Sequence, residues 1–88
     1  MTNYSNFKKE LINSYFFQSE RNKVKTCLSV LEDNDFHTPE EIAKSLCVLY
    51  QAMLVPYESI LKLIKYFWSS NIFEASKIFE EKRKNYEK

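Results

Sequence analysis

Apolar residues recur at helical spacing along almost the whole chain, and no segment alternates with period two for long. Tyr4, Phe7, Leu11 and Tyr15 fall within an arc of about 80° at 100° per residue, a narrow seam with Ile12 and Phe16 beside it. Val24, Cys27, Leu28 and Leu31 repeat the i, i+3, i+4, i+7 pattern. Glu32-Asp33-Asn34-Asp35 then interrupts it, because such side chains compete for backbone hydrogen bonds and favour turns.

The next start is written in Thr38-Pro39-Glu40-Glu41. Thr38 suits a helix cap, Pro39 suits the first helical position, and Glu41 stands where a capping box wants its carboxylate. Both glutamates also meet the positive end of the helix dipole. Ile42, Ala43, Leu46, Cys47, Leu49, Tyr50, Met53 and Leu54 then cover about 160° of one helix, the width expected of a central element. Pro56 ends that helix by disfavouring helical angles at Val55. In the following helix Tyr57, Ile60, Leu61, Leu63, Ile64, Phe67 and Trp68 share one side, with Glu58, Ser59, Lys62, Lys65 and Tyr66 opposite. Ser69-Ser70-Asn71 is expected to turn the chain, with Asn71 as a left-handed stop. A last helix runs from Ile72 through Ala75, Ile78 and Phe79 towards Tyr86. The expectation is an all-α bundle of about five short helices, the last two forming an antiparallel hairpin.

The length, 88 residues, supports one domain, read over residues 1–88. A chain of this size removes only roughly 60–65% of its unfolded surface from water, so a partner is a natural source of further burial. The content is 44% hydrophobic and 28% charged, too apolar for a disordered tail. The longest apolar stretch, Leu46 to Val55, falls short of the roughly 20 residues of a membrane span. A net charge of +1 gives no reason to expect nucleic acid or anionic lipid. The signs are nevertheless unevenly placed. Glu32, Asp33, Asp35, Glu40 and Glu41 bunch mid-chain, whereas the first twenty-five residues lean basic.

Glycine is absent. Phosphate cradles, dinucleotide turns and nucleophile elbows rely on it, so enzymes built on those devices are not expected. His37 is the only histidine and stands in the turn before Thr38. No metal-ligand spacing surrounds it, and Glu40 and Glu41 read as helix-start residues rather than an acid–base pair. Cys27 and Cys47 fall at apolar helical positions and read as small buried hydrophobes in a reduced, cytoplasmic protein. The N-terminal residues show no secretory pattern. Neither cofactor nor metal nor small-molecule substrate is expected.

Aromatic residues carry the remaining information, at 16% of the chain. Phe17, Val48 and Phe73 lie off the faces described above. A small domain with this excess is expected to share some rings with another molecule. The candidate anchors are Phe67, Trp68 and Phe73 on the last two helices and Tyr4, Phe7 and Tyr15 on the first. The expected function is a non-enzymatic protein–protein interaction module that receives an amphipathic helix, or a homodimer formed through the same surface. Two alternatives remain. One is a small helix-turn-helix DNA-binding regulator, although Tyr57, Glu58 and Ser59 stand where base-reading Arg, Lys, Asn or Gln would be wanted. The other is an immunity or inhibitor protein.

Residues 59–87 also partly resemble one tetratricopeptide-type helical hairpin. Tyr66, Ala75 and Phe79 match three signature positions, and Ser70-Asn71-Ile72 sits where that family turns between its helices. Ser59, Lys62 and Leu63 stand where the family prefers Trp, Leu and Gly, and Glu87 where it prefers Pro. The resemblance covers under a third of the chain. It implies a role like that of small chaperone-like adaptors that hold an aggregation-prone helical subunit.

Overall fold

The computed structural model describes residues 2–87. Among these, five α-helices and no strand are found: α1 (Thr2–Asn13), α2 (Gln18–Glu32), α3 (Pro39–Cys47), α4 (Tyr57–Tyr66) and α5 (Ser70–Tyr86). A 3-10 turn, Asn34–Phe36, joins α2 to α3, and a π-helical segment, Val48–Ala52, prolongs α3. No helix of the described residues is long and apolar enough to cross a membrane.

The Thr38 signal operates as its chemistry dictates. The Glu41 N–H donates to Thr38 Oγ1 (3.2 Å), and the Thr38 N–H donates to Glu41 Oε1 (2.8 Å). That backbone donor holds the Glu41 carboxyl below its usual range, with a smaller contribution from His37. The cap directs α3 into the middle of the molecule. Ile42, Ala43 and Leu46 are fully buried there. α3 packs most extensively on α5 and next on α2. Its α2 neighbours are Val24, Cys27, Leu28 and Leu31, the periodic set, all buried. From α5 come Ile72, Ala75 and Phe79. Ala75 and Phe79 are thus buried, and Tyr66, the third position of the hairpin resemblance, is half-buried. The α5 helix takes α3 as its main neighbour and α4 as a minor one.

Three local details differ from the sequence reading. The helix after Pro39 does not continue in one register. After Cys47 it widens, so that the Met53 N–H bonds Val48 O at 3.0 Å, one residue beyond the α-helical partner. Val48, expected on the outer side, is half-buried against the core. Second, α1 ends at Asn13 and α2 begins after Phe17, so Tyr15, Phe16 and Phe17 belong to a connecting bend. Third, Asn71 does not stop a helix. It lies in the first turn of α5, whose cap is Ser69, with the Ile72 N–H donating to Ser69 Oγ (3.2 Å).

The left-handed residue is instead Leu54, at φ 57°. It closes the π-helical segment while the Val55 N–H reaches back to Leu49 O (2.9 Å), a helix stop of Schellman type widened by a residue. A Cβ-bearing residue there carries strain, and the Leu54 side chain is 78% exposed, so packing returns little for it. Val55 behind it is buried.

The α1 helix is tied down at its outer end. Tyr4 donates its phenolic hydrogen to Glu32, and Lys8 Nζ pairs with the same carboxylate at 2.8 Å. Burial, and then the bond to Glu32, push the Tyr4 phenol well above its ordinary pKa of 10.0. Burial pushes Tyr15 in the same direction.

Two outcomes follow from these contacts. Leu54→Gly is expected to raise stability by roughly 0.5–1 kcal/mol, because relief of left-handed strain exceeds the added freedom of the unfolded chain. A urea-unfolding midpoint that is unchanged or lower contradicts this. A raised tyrosine pKa means that the folded state favours the neutral phenol. Its contribution is therefore whole below about pH 10 and is lost as the pH rises further, where the unfolded phenol ionises first. Denaturant melts between pH 8 and about 11 are expected to show a shallower alkaline decline for Tyr4→Phe than for the parent chain.

Candidate partner-binding surface

The six aromatic residues singled out in the sequence divide into two groups. Tyr4 meets Tyr66 and Phe67 edge-on, with ring centroids 5.6 and 4.7 Å apart. Phe7 lies 5.8 Å from Tyr66. The Tyr15 hydroxyl donates to Met53 O at 2.5 Å. Tyr4, Phe7, Tyr15 and Phe67 are half-buried against the core. Their spacing on α1 and α4 is therefore used within the chain, to seat α1 on α4 and the connecting bend on the end of the π-helical segment. Edge-to-face ring pairs of this kind each add about 0.5–1.5 kcal/mol beyond the area they bury.

Trp68 and Phe73 face outward. They are 60% and 41% exposed and meet edge-on at 5.7 Å, across the corner between α4 and α5. The amphipathic pattern placed Trp68 on the inner side of α4, but the helix ends at Tyr66 and Phe67 caps it with non-helical angles, so the next side chain leaves the stripe. Lys77, one turn along α5, sits over the Phe73 ring at 4.4 Å. The corner is held by hydrogen bonds to the 3-10 turn. Ser69 Oγ donates to Asn34 Oδ1 (2.9 Å), and Asn71 Nδ2 donates to Asn34 O (3.0 Å) and His37 O (3.2 Å). Asn71 thus acts as a clasp between α5 and the turn before α3. The pair is presented on a fixed frame, which lowers the ordering cost of binding anything there.

Other exposed rings lie outside the anticipated set. Phe16 and Phe17 pair edge-on at 5.0 Å in the bend between α1 and α2. Phe36, in the 3-10 turn, is 86% exposed. The sequence marked Phe17 as off-face but gave no such signal for Phe36, which sits among acidic turn residues with no apolar periodicity around it.

Sequence periodicity also gave no sign of an open groove of about 560 Å³ between α2 and the α3–π-helical unit. Lys23, Thr26 and Cys27 come from α2, and Lys44, Ser45 and Val48 from the facing side. Small side chains on both helices leave this room, which depends on how two distant segments meet. Ser45, buried, lines the groove opposite Cys27.

Burial pushes both cysteine thiols up, away from the reactive thiolate. Cys27 is buried and Cys47 half-buried. His37 Nδ1 stands 3.4 Å from Glu41 Oε1, which is occupied at the Thr38 cap. Among the described residues no three His, Cys, Asp or Glu side chains converge as a metal site.

Comparison of this chain with protein-family models, with curated proteins and with solved structures finds no match.

Trp68→Ala and Phe73→Ala are expected to cost no more than about 1 kcal/mol of stability, whereas Phe79→Ala, in the sealed core, should cost about 3–5 kcal/mol. Equal losses at Phe73 and Phe79 in chemical denaturation contradict the division made here.

Proposed function

We propose that this chain is a non-enzymatic protein–protein interaction module, an adaptor or chaperone-like protein that binds an amphipathic helix of a protein partner. The observation that carries the proposal is the outward Trp68–Phe73 pair on a corner clasped by Asn34, Ser69 and Asn71. Tryptophan dominates binding energy at interfaces because it buries a large rigid area for few rotatable bonds. A partner helix lays its apolar stripe over the two rings. Lys77, already above Phe73, meets an acidic residue at the rim of that stripe. Tyr4, Phe7, Tyr15 and Phe67 are half-buried against the core and do not form the centre of this surface.

A nucleic-acid reading has less support. The start of α4 presents Tyr57 and Glu58, with Tyr57 bonded to Glu80 and covered by Arg83 at 4.2 Å from its ring. That arginine is further engaged by Glu80 and Glu87, each at 2.9 Å. The nearest cationic group is thus matched by carboxylates rather than offered to phosphate.

The test is affinity capture at native expression with mass spectrometry, the parent chain run beside the Trp68→Ala/Phe73→Ala double variant. A protein that survives washing at about 0.5 M salt on the parent and is lost from the variant supports the module. Nucleic acid released by that wash, or a protein retained equally by both chains, overturns it.

A further inference from the structure

The chain carries two unmatched surfaces whose chemistry is complementary. The first is the groove between α2 and the α3–π-helical unit, with Lys23 on one wall and Lys44 on the other. Neither lysine forms an ion pair among the described residues, where the ion pairs involve Lys8, His37, Lys77 and Arg83. Its floor contains Cys27 and Val48, so an apolar group entering it meets apolar surface. Its volume, about 560 Å³, falls in the range that takes a small ligand or a side-chain anchor. Glu20, on the same stretch of α2, is turned aside to accept from the Phe17 N–H at 3.2 Å.

The second surface is the turn at the far end of α2. Phe36 is 86% exposed there, the most exposed of the large apolar side chains. Asp33 and Asp35 precede it in the same turn, both exposed and both without an ion pair among the described residues. The turn is braced rather than loose, since Asn34 is bonded by Ser69 and Asn71 and its own Nδ2 donates to Leu31 O at 2.9 Å. One surface is thus a cavity with a cation on each wall, and the other an exposed aromatic ring on a braced turn that also carries two exposed carboxylates.

We propose that these surfaces bind each other between copies of the chain. The Asp33–Phe36 turn of one copy enters the α2–α3 groove of a second, with Phe36 seated over Cys27 and Val48 and the Asp33 and Asp35 carboxylates of the same turn meeting Lys23 and Lys44. Opposite charges select the register while the ring supplies the burial. The two surfaces are separate on one molecule, so the contact joins unlike patches and can be repeated by a further copy or returned by the same one. The contact is made by Phe36 and the two aspartates, not by Trp68 or Phe73, although the turn is hydrogen-bonded to the corner that carries them.

The test is analytical ultracentrifugation of the whole chain up to about 1 mM, where even a contact of millimolar dissociation constant is seen. The parent chain is expected to self-associate. Phe36→Ala and, separately, Lys23→Glu/Lys44→Glu are each expected to shift the dissociation constant at least tenfold towards monomer. Phe36→Ser and Lys23→Ala/Lys44→Ala serve as second variants, and circular dichroism establishes that each chain is folded. An equimolar mixture of the Phe36→Ala and double-lysine variants leaves one intact turn and one intact groove in the wrong molecules. The double-lysine chain retains its turn and the Phe36→Ala chain retains its groove, so the mixture is expected to form a 1:1 complex that neither component forms alone. A parent chain that stays monomeric throughout, an association untouched by Phe36→Ala, or a mixture with no complex overturns the proposal. Loss of association with Trp68→Ala and not with Phe36→Ala does so as well.

Discussion

The burial of α3 between α2 and α5 is the constraint on which the rest of this structure depends. A nine-residue helix is too short to persist by its own propensity. It exists because Thr38 and Glu41 close its start and because Ile42, Ala43 and Leu46 leave water completely. Once α3 is enclosed, α2 and α5 have their inner faces fixed. Phe79 is sealed, with Tyr50 and Tyr57 laid around its ring at 5.7 and 6.5 Å. The remaining helices, α1 and α4, cover what is left, and their aromatic residues complete the enclosure.

The absence of glycine shapes how the segments are joined. Among the described residues only Leu54 takes the left-handed angles that glycine favours, and the other connections are tied by side-chain hydrogen bonds. Ser69 and Asn34 tie one corner, Arg21 bonds the Tyr15 and Phe16 carbonyls at 2.8 and 2.6 Å in another, and Leu54 takes the left-handed angles itself. Connections stapled in this way hold their neighbouring side chains in place. Phe16, Phe17, Phe36, Leu54 and Trp68 all stand at such connections, and all are exposed. Most of the outward apolar groups therefore sit at connections, while Leu61, Phe73 and Tyr86 are exposed on helices.

That distribution explains what could be read from the sequence. The helix content, the cap at Thr38 and the buried stripe of α2 follow from local rules, and local rules are written in neighbouring residues, whereas the helix expected to run to Pro56 already ends before the left-handed Leu54 and Pro56 instead precedes α4. Periodicity also extended too far. It carried the first helix through Tyr15 and the fourth through Trp68, since apolar residues just past a helix end keep the spacing by chance. The π-helical widening after Cys47 escaped because it answers to the fit of Val48, Leu49 and Met53 against other elements, not to their order. The α2–α3 groove escaped for the same reason. Of the aromatic residues singled out, Tyr4, Phe7, Tyr15 and Phe67 proved engaged within the chain, because an unpaired ring and a ring paired with a distant helix look alike in one dimension. Trp68 and Phe73 remain outward.

Because Trp68 is the single tryptophan, its fluorescence reports on the central claim without any labelling. The decisive measurement is acrylamide quenching of the isolated chain at low concentration, read together with the emission maximum. The account predicts water-like, red-shifted emission and ready quenching in the folded chain, with little further change on unfolding in urea. Blue-shifted emission shielded from the quencher until the chain unfolds would place Trp68 inside, and the interaction surface described here would not exist.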